Sequence, residues 1–512
     1  MIFEWSSDAG KASPQGDAVC LIISEAQAQA QGEGLPADWA ARVRLLSAAG
    51  LFNGKQGQVY ILPVMEQPEQ PVVILAGSGK GQMGMHDLRQ LMAQTARAAY
   101  RLKAVALVVQ ILAVPGGLTG VLKAEQAGQA IAEGLVLGSY RRRQYKLDQA
   151  AYTGIDTVHL RTEGKSEAAE EEAWRQGIKR GKAFGEAANL ARELTNRPGN
   201  LLTPSGLAVA AIEIAQRHGL PAEVLDEREL ALKGMGGLLA VGSGSVNPPR
   251  MIVIRYQGTN QWENAVGLVG KGITFDTGGI SLKRAPGMES MFSDMAGAAA
   301  VLAVMDALGH LRPKVNVVML IPAAENMPAA NAYKPGDIIT TLSGRTVEII
   351  NTDAEGRIIL GDALTYAREW GAQRIIDVAT LTGAVVSILG DVATGAVTND
   401  QAFLEELLAA SRLSGEHIWP LPVYPEFREM LTSEVADLRN AAGRYGAAST
   451  AGLFIGEFAE GLPWVHLDIA GTAFLSAERG VNPKGATGIM VRTLLEYLLS
   501  AAAEPDHRPP EA

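Results

Sequence analysis

Short runs rich in Val, Ile and Leu alternate with stretches of helical spacing along most of the chain, and this alternation restricts the fold more than any other feature. The runs at 19–23, 59–64, 72–76 and 105–112 are apolar at nearly every position, too continuous for a sheet with one wet face. Between and after them, apolar residues recur at helical intervals over 88–102 and 124–137. Strands buried on both faces and separated by helices predict an α/β fold with mostly parallel sheets covered by helices. The pattern resumes in the second half, with strands expected at 251–256, 265–269, 315–321, 374–378 and 464–467.

With 512 residues the chain exceeds what one core usually encloses. Residues 163–172 are polar and acidic and read as an exposed connection. They lead into a long helical pattern at 173–194, which ends at Asn196-Arg197-Pro198-Gly199. The expectation is two α/β domains joined by this helix. Residues 1–167 would form the N-terminal one and 168–512 the one that carries the chemistry.

Composition narrows the function classes. A net charge of −10 disfavours a general nucleic-acid-binding surface. Cys20 is the single cysteine, which excludes an intrachain disulfide and a cysteine-based zinc site and fits a reducing compartment. The opening MIFEWSSDAGKAS is polar where a secretory signal needs a basic start and an apolar stretch. The longest apolar run, 104–114, is about half of the ~20 residues that a bilayer span requires, and it ends in Pro115-Gly116-Gly117. A cytoplasmic protein with no membrane partner is expected, with a disordered tail from 503 onward.

Two glycine-rich segments imitate a phosphate-binding loop. That loop needs a glycine five positions before its last glycine and a hydroxyl after its lysine. Around Lys80 these positions hold Ile74 and Gly81, and around Lys271 they hold Ala265 and Gly272. Neither segment can cradle a nucleotide in that way.

Three other segments concentrate charge on an apolar framework. In VGKGITFDTGGISLK (269–283) a strand runs out into Gly270-Lys271-Gly272, and Asp276 follows before Gly278-Gly279. Ser293-Asp294-Met295 opens a helix of small residues. Asn351-Thr352-Asp353-Ala354-Glu355-Gly356-Arg357 joins a strand at 347–350 to a helix at 358–368. In open α/β sheets, sites collect at such strand ends. Asp353 and Glu355 are two apart, so in an extended stretch they would point the same way. With Asp276 and Asp294 they make four carboxylates that would repel in one cleft unless divalent cations bridged them. Their oxygens suit Mg²⁺, Mn²⁺ or Zn²⁺ alike. Asp294 and Asp353 also stand where helix N-caps belong, which would explain either one alone. The interleaved Lys271, Lys283 and Arg357, set among Gly, Ile, Val and Ala, favour a site.

The segment NTDAEGR at 351–357, continuing into Ile358-Ile359-Leu360, resembles the signature of the leucyl aminopeptidase family of two-metal cytosolic enzymes. Similar segments are AENMPAANAYKPGD (324–337), ATLTGA (379–384), WVHLDIAGTA (464–473) and GATG (485–488). The resemblance spans roughly 170–500, and the N-terminal part offers no matching motif. It implies an aminopeptidase that releases N-terminal residues, leucine and other apolar ones first, by attack of a metal-bridging hydroxide. One metal, Mn or Zn, would be held by Lys271, Asp276, Asp294 and Glu355, and the other by Asp276, Asp353 and Glu355. Lys283 would stabilise the oxyanion, and Arg357 would position a bicarbonate ion as general base. The side-chain pocket would involve Met291, Thr380, Leu381, Gly383 and Ala470, with Ala473 smaller than the residue some relatives carry. Gly361 and Ile489-Met490 also depart from the family pattern, away from every implied ligand. The resemblance further implies a homohexamer acting on peptides with a free N-terminus. His466 is the one histidine in a family motif and is expected to be structural.

The competing reading is a catalytically silent scaffold or nucleic-acid-binding protein on the same fold. A two-metal phosphoesterase would share the carboxylates but would not need the lysine ligand. The complete set of five ligand positions and two basic residues favours the enzyme.

Overall fold

The computed structural model describes residues 1–7, 16–30, 35, 37–62, 71–80, 83–111, 122–147, 152–162 and 167–503. Pro115-Gly116-Gly117, Gly81, the start of the acidic connection (163–166) and the tail from 504 lie outside them. The chain forms two compact units, one of residues 1–186 with 478–483 and the other of 187–477 with 484–512. The division falls within the long helix Ala168–Thr195, whereas the sequence expectation set it where that helix begins.

In the first unit a six-stranded sheet runs in the order Ile2–Ser7, Thr157–Thr162, Ala106–Ile111, Ala18–Ser24, Val72–Gly79, Val59–Leu62. All neighbours are parallel except the last pair. Ala18–Ser24 is buried at six of its seven positions, as an apolar strand covered on both faces must be. The helices Met85–Arg101 and Ala124–Ser139 pack against each other through Gly134 and Gly138.

The second unit holds a nine-stranded sheet. Its order is Ile418–Pro420, Thr394–Thr398, Trp464–Asp468, Ala372–Ala379, Ala265–Gly270, Asn316–Asn326, Arg250–Gln257, Ala222–Leu225, and Gly272–Asp276 pairs with Asn316–Asn326 off this path. The four central strands are mutually parallel, and antiparallel pairs appear toward the edges. Ala265–Gly270 and Asn316–Asn326 are buried at every position, so helices cover both faces. One cover is Ala296–Leu311, whose run of Ala and Gly lets it lie close to the strands. Residues 288–311 are long and apolar enough to cross a membrane, yet 89% of their 18-residue apolar window is buried inside the fold. It is a core helix.

The parallel strands all end on one edge. Gly270 pairs with Val378 and Ala379 pairs with Asp468, so Lys271, Thr380 and Ile469 leave the sheet side by side. This edge carries the site.

Candidate active site

Lys271 follows the central strand directly, its backbone N–H donating to Val378 O (3.0 Å) and its carbonyl accepting from Ala298 N (2.9 Å). Its side chain is buried and lies across Gly356, where a Cβ would stand 2.5 Å from Lys271 Cε. A side chain there would push the lysine out of this position. The ammonium sits 2.8 Å from Asp294 Oδ2 and 2.8 Å from Glu355 Oε1, and donates to Thr380 O at 2.9 Å.

Asp276 ends the short strand Gly272–Asp276, in register with Asn326. Its Oδ1 accepts from Gly278 N (2.8 Å) and Asn326 Nδ2 (2.9 Å). Gly278 and Gly279 then turn the chain with φ of 85° and 64°, the left-handed region that favours glycine. The turn returns Lys283, whose backbone N–H donates to Thr277 O, so that Nζ lies 2.8 Å from Asp276 Oδ2 and also meets Asp353 Oδ1. Asp294 follows the 3₁₀ turn Met288–Ser293, and its Oδ1 accepts from Thr380 Oγ1 at 2.6 Å.

The loop 351–355 is held from several sides. Thr352 Oγ1 donates to Gly278 O (2.6 Å), and Thr352 O accepts from Asn326 Nδ2 (2.9 Å) and Tyr333 OH (2.7 Å). Asn440 donates to Asn351 O (2.7 Å) and accepts from Ile350 N (2.8 Å). Asp353 and Glu355 do converge, but through a turn and not an extended stretch: Glu355 has φ −76° and ψ −38°. Neither Asp294 nor Asp353 is the N-cap of a helix. The residues before the helices Ala296–Leu311 and Gly356–Glu369 make no side-chain cap, and the carboxylates turn to the lysines instead.

Electrostatics follow from burial and crowding. Desolvation, with Glu355 and Asp294 nearby, pushes Asp276 up to about 8. Desolvation raises Asp294 to about 6 against the pull of Lys271. It also raises Asp353, against the pull of Lys283. Burial would raise Glu355 too, but Lys271 and Lys283 outweigh it and the net shift is downward. Burial works to neutralise both lysines, yet the surrounding carboxylates win and hold each above its ordinary value.

Four carboxylates meet two ammonium groups here, so the cluster lacks cationic charge. Asp276, Asp353 and Glu355 offer oxygens within 4.8 Å of one another, the hard donors that divalent cations take. The residues present therefore fit bound metal.

Arg357, in the first turn of Gly356–Glu369, is buried and donates from Nη1 to Asn440 O at 2.8 Å. Desolvation lowers it to about 10, opposed by Glu355 and Asp468. Its Nε is buried with no hydrogen-bond partner, a position an anion could fill.

Of the residues expected in the pocket, Met291, Thr380, Leu381 and Ala470 are half-buried, Gly383 is exposed, and Ala473 is buried. A Cβ on Gly383 would meet nothing, so space is open beside it. Sequence reasoning missed the organiser of this region, Asp468. Its Oδ1 accepts from Leu381 N and Ala470 N (3.1 Å each), and its Oδ2 accepts from Thr382 Oγ1 at 2.7 Å. One buried carboxylate thus ties the 380–383 segment to the 468–470 segment. Asn326 and Tyr333 lay within a quoted motif without being singled out, and Asn440 left no local signal at all. His466 is fully buried, with Nδ1 2.6 Å from Asp377 Oδ1, and takes no part in the carboxylate cluster.

Comparison with known proteins agrees with this geometry. Residues 189–495 match the catalytic domain of the cytosol aminopeptidase family, and 20–149 match that family's N-terminal domain, where no short motif had been legible. A probable cytosol aminopeptidase of Alkaliphilus metalliredigens is 44% identical over 452 residues, 88% of this chain and 89% of that protein. One of Bacillus subtilis is 48% identical over 370 residues, 72% and 73% of the two chains. Among solved structures, a tomato leucine aminopeptidase variant superposes with TM-score 0.85 at 34% identity, covering 98% of this chain and 96% of its own. The bottromycin maturation enzyme BotP in complex with Mn gives 0.82 at 35% identity, covering 95% and 99%. The chain belongs to the cytosol aminopeptidase family and is a metal-dependent aminopeptidase, a peptidase hydrolase.

Proposed function

We propose that this protein removes apolar residues, leucine foremost, from peptide N-termini, using two divalent ions, Mn or Zn, per subunit. Lys271, Asp276, Asp294 and Glu355 would hold one ion, and Asp276, Asp353 and Glu355 the other. The observation that carries this reading is the convergence of all five residues, with Lys283 and Arg357, on one edge of the sheet. When bound, the metals supply Lewis acidity that acidifies a water and anchors the substrate's free α-amine. The chain's own groups do the rest. Lys283 faces the carboxylate cluster from a glycine turn and would donate to the developing oxyanion. Arg357 would seat a bicarbonate on its unpaired Nε, where it would supply a general base. Asp468 would keep Thr380, Leu381, Gly383 and Ala470 in position around the substrate side chain. A scaffold without activity would not need this complete set.

We also infer a homohexamer working in the cytoplasm, with residues 168–512 as the catalytic domain. The inference rests on the family and on the cytosolic naming of its relatives. The test is release of nitroaniline from a leucyl anilide. Activity should vanish in chelator and return with Mn²⁺, and activity that survives exhaustive chelation would end the reading.

Specificity gives a second test. Met291 is an adaptable apolar wall and Gly383 adds no bulk, while the lysines and arginines of the motif segments serve the cluster, apart from the exposed Lys334, which pairs with Asp337. Leucyl and methionyl substrates should be preferred, phenylalanyl tolerated and glutamyl rejected. Ala473→Met should cut kcat/KM for phenylalanyl relative to alanyl anilide by about tenfold or more, the usual penalty for pocket misfit. An unchanged ratio, or a best glutamyl substrate, would remove the pocket assignment and leave the metal cluster standing.

A further inference from the structure

A second group of potential ligands lies in the same unit, at the other end of the helix that Asp294 precedes. His218 closes the helix Pro204–His218, and Asp306 and His310 stand at i and i+4 on Ala296–Leu311, hence on one face. Their ligand atoms lie within 4.8 Å of one another. His218 Nε2 is 2.7 Å from Asp306 Oδ1, and His310 Nε2 is 3.9 Å from Asp306 Oδ2. The two imidazoles meet edge to face with centroids 4.5 Å apart. Gly309 makes this possible, since a Cβ there would fall 2.2 Å from the His218 ring.

We propose that His218, Asp306 and His310 form a peripheral site for a transition-metal ion such as Zn²⁺ or Ni²⁺, separate from the catalytic cluster. Asp306 lies ten residues after Ala296, about 15 Å along the axis at 1.5 Å per residue. Two imidazoles and one carboxylate are borderline donors that select Zn²⁺, Ni²⁺ or Cu²⁺ over Mg²⁺. Ligand bonds of about 2.0–2.1 Å in a tetrahedron place donor atoms roughly 3.3 Å apart. His218 Nε2 stands 2.7 Å from one Asp306 oxygen and His310 Nε2 3.9 Å from the other, so closing the three ligands on one ion takes an inward movement of the His310 side chain. His218 is buried and fixed, whereas the His310 side chain is 55% exposed and leaves the fourth position to solvent.

A plain helix staple would need only His218 and Asp306, and the third ligand is redundant for that purpose. The group that opposes a cation is Arg217, whose Nη1 lies 3.0 Å from Asp306 Oδ1. Its side chain is 54% exposed and free to swing into water. Arg312 is also close, but it donates to the His218 carbonyl at 2.7 Å and does not engage the carboxylate.

The experiment uses the untagged full-length protein, dialysed to equilibrium against Zn²⁺ and separately against Ni²⁺, with bound metal counted per chain. Wild type should bind one ion more than His310→Ala, and the two should hydrolyse a leucyl anilide equally well in saturating Mn²⁺. Arg217→Ala should tighten the extra ion by about two- to fivefold, because a competing surface ion pair is worth up to ~1 kcal/mol. Equal metal counts in wild type and His310→Ala would overturn the site, as would an Arg217→Ala protein that binds no more tightly. Loss of activity on chelation tests the catalytic cluster alone, so the two readings fail separately.

Discussion

The Asp353→Asn protein is expected to keep its fold and lose both one metal ion and its activity. Asp353 is half-buried, and its carboxylate pairs with Lys283 beside the carboxylates of Asp276 and Glu355. Its loop is held by other groups, since Thr352, Asn326, Tyr333 and Asn440 make the bonds that fix residues 350–354. The backbone N–H of residue 353 donates to Asn351 Oδ1 at 2.9 Å, a bond the substitution leaves intact. What changes is charge. A neutral amide is a poor ligand, and the cluster would hold three carboxylates where it had four. Outer-shell substitutions at metal sites weaken binding by about 10–100-fold, so losing a direct ligand should weaken it by at least ~100-fold. Elemental analysis after dialysis and a leucyl anilide assay read the two effects together. Two ions per chain with full activity would take Asp353 out of the ligand set.

How much of this could be read from the sequence depends on how local each signal is. The strand Ala265–Gly270 was legible because burial on both faces makes it apolar throughout, and the charge at Lys271 then marks a strand end. The strands Ile2–Ser7 and Thr157–Thr162 went unread. Their sequences carry Glu4, His159 and Arg161, and His159 and Glu4 pair at 2.9 Å across adjacent strands, satisfying each other in a way no single segment reveals. The residues of the carboxylate and lysine cluster were legible as a set because their charges stand in apolar surroundings. Their supports were not, because Asp468 and Asn440 act across 86 to 90 residues of sequence. In an extended stretch Asp353 and Glu355 would point the same way. Spacing of two suggested a strand, but Glu355 already has helical backbone angles, and a tight turn brings the carboxylates together.

Lys283→Ala should lower kcat by ~10²–10³, the usual loss for one oxyanion donor, with metal content unchanged. The side chain stands 2.8 Å from Asp276 Oδ2 and beside Asp353 Oδ1, and it keeps 24% of its surface exposed, so it faces both the cluster and solvent. Lys271, by contrast, is enclosed by Asp294, Glu355 and Thr380 O and has no such outlet. The two lysines therefore differ in access to solvent. With the carboxylates engaged by metal, they would no longer hold the Lys283 ammonium, and its N–H groups would be available to a substrate carbonyl. Removing that ammonium takes positive charge away from Asp276 and Asp353, which cannot weaken their hold on a cation, so the metal count should stay the same or rise. The pairing of a large fall in kcat with unchanged metal separates an oxyanion donor from a structural clamp. Lys283→Arg keeps the charge but spreads it over a planar group, and it should recover only part of the loss. Steady-state kinetics on metal-saturated protein decides the matter: a decrease in kcat of less than about threefold for Lys283→Ala, set against that ~10²-fold minimum, would make the lysine a structural neighbour of the site.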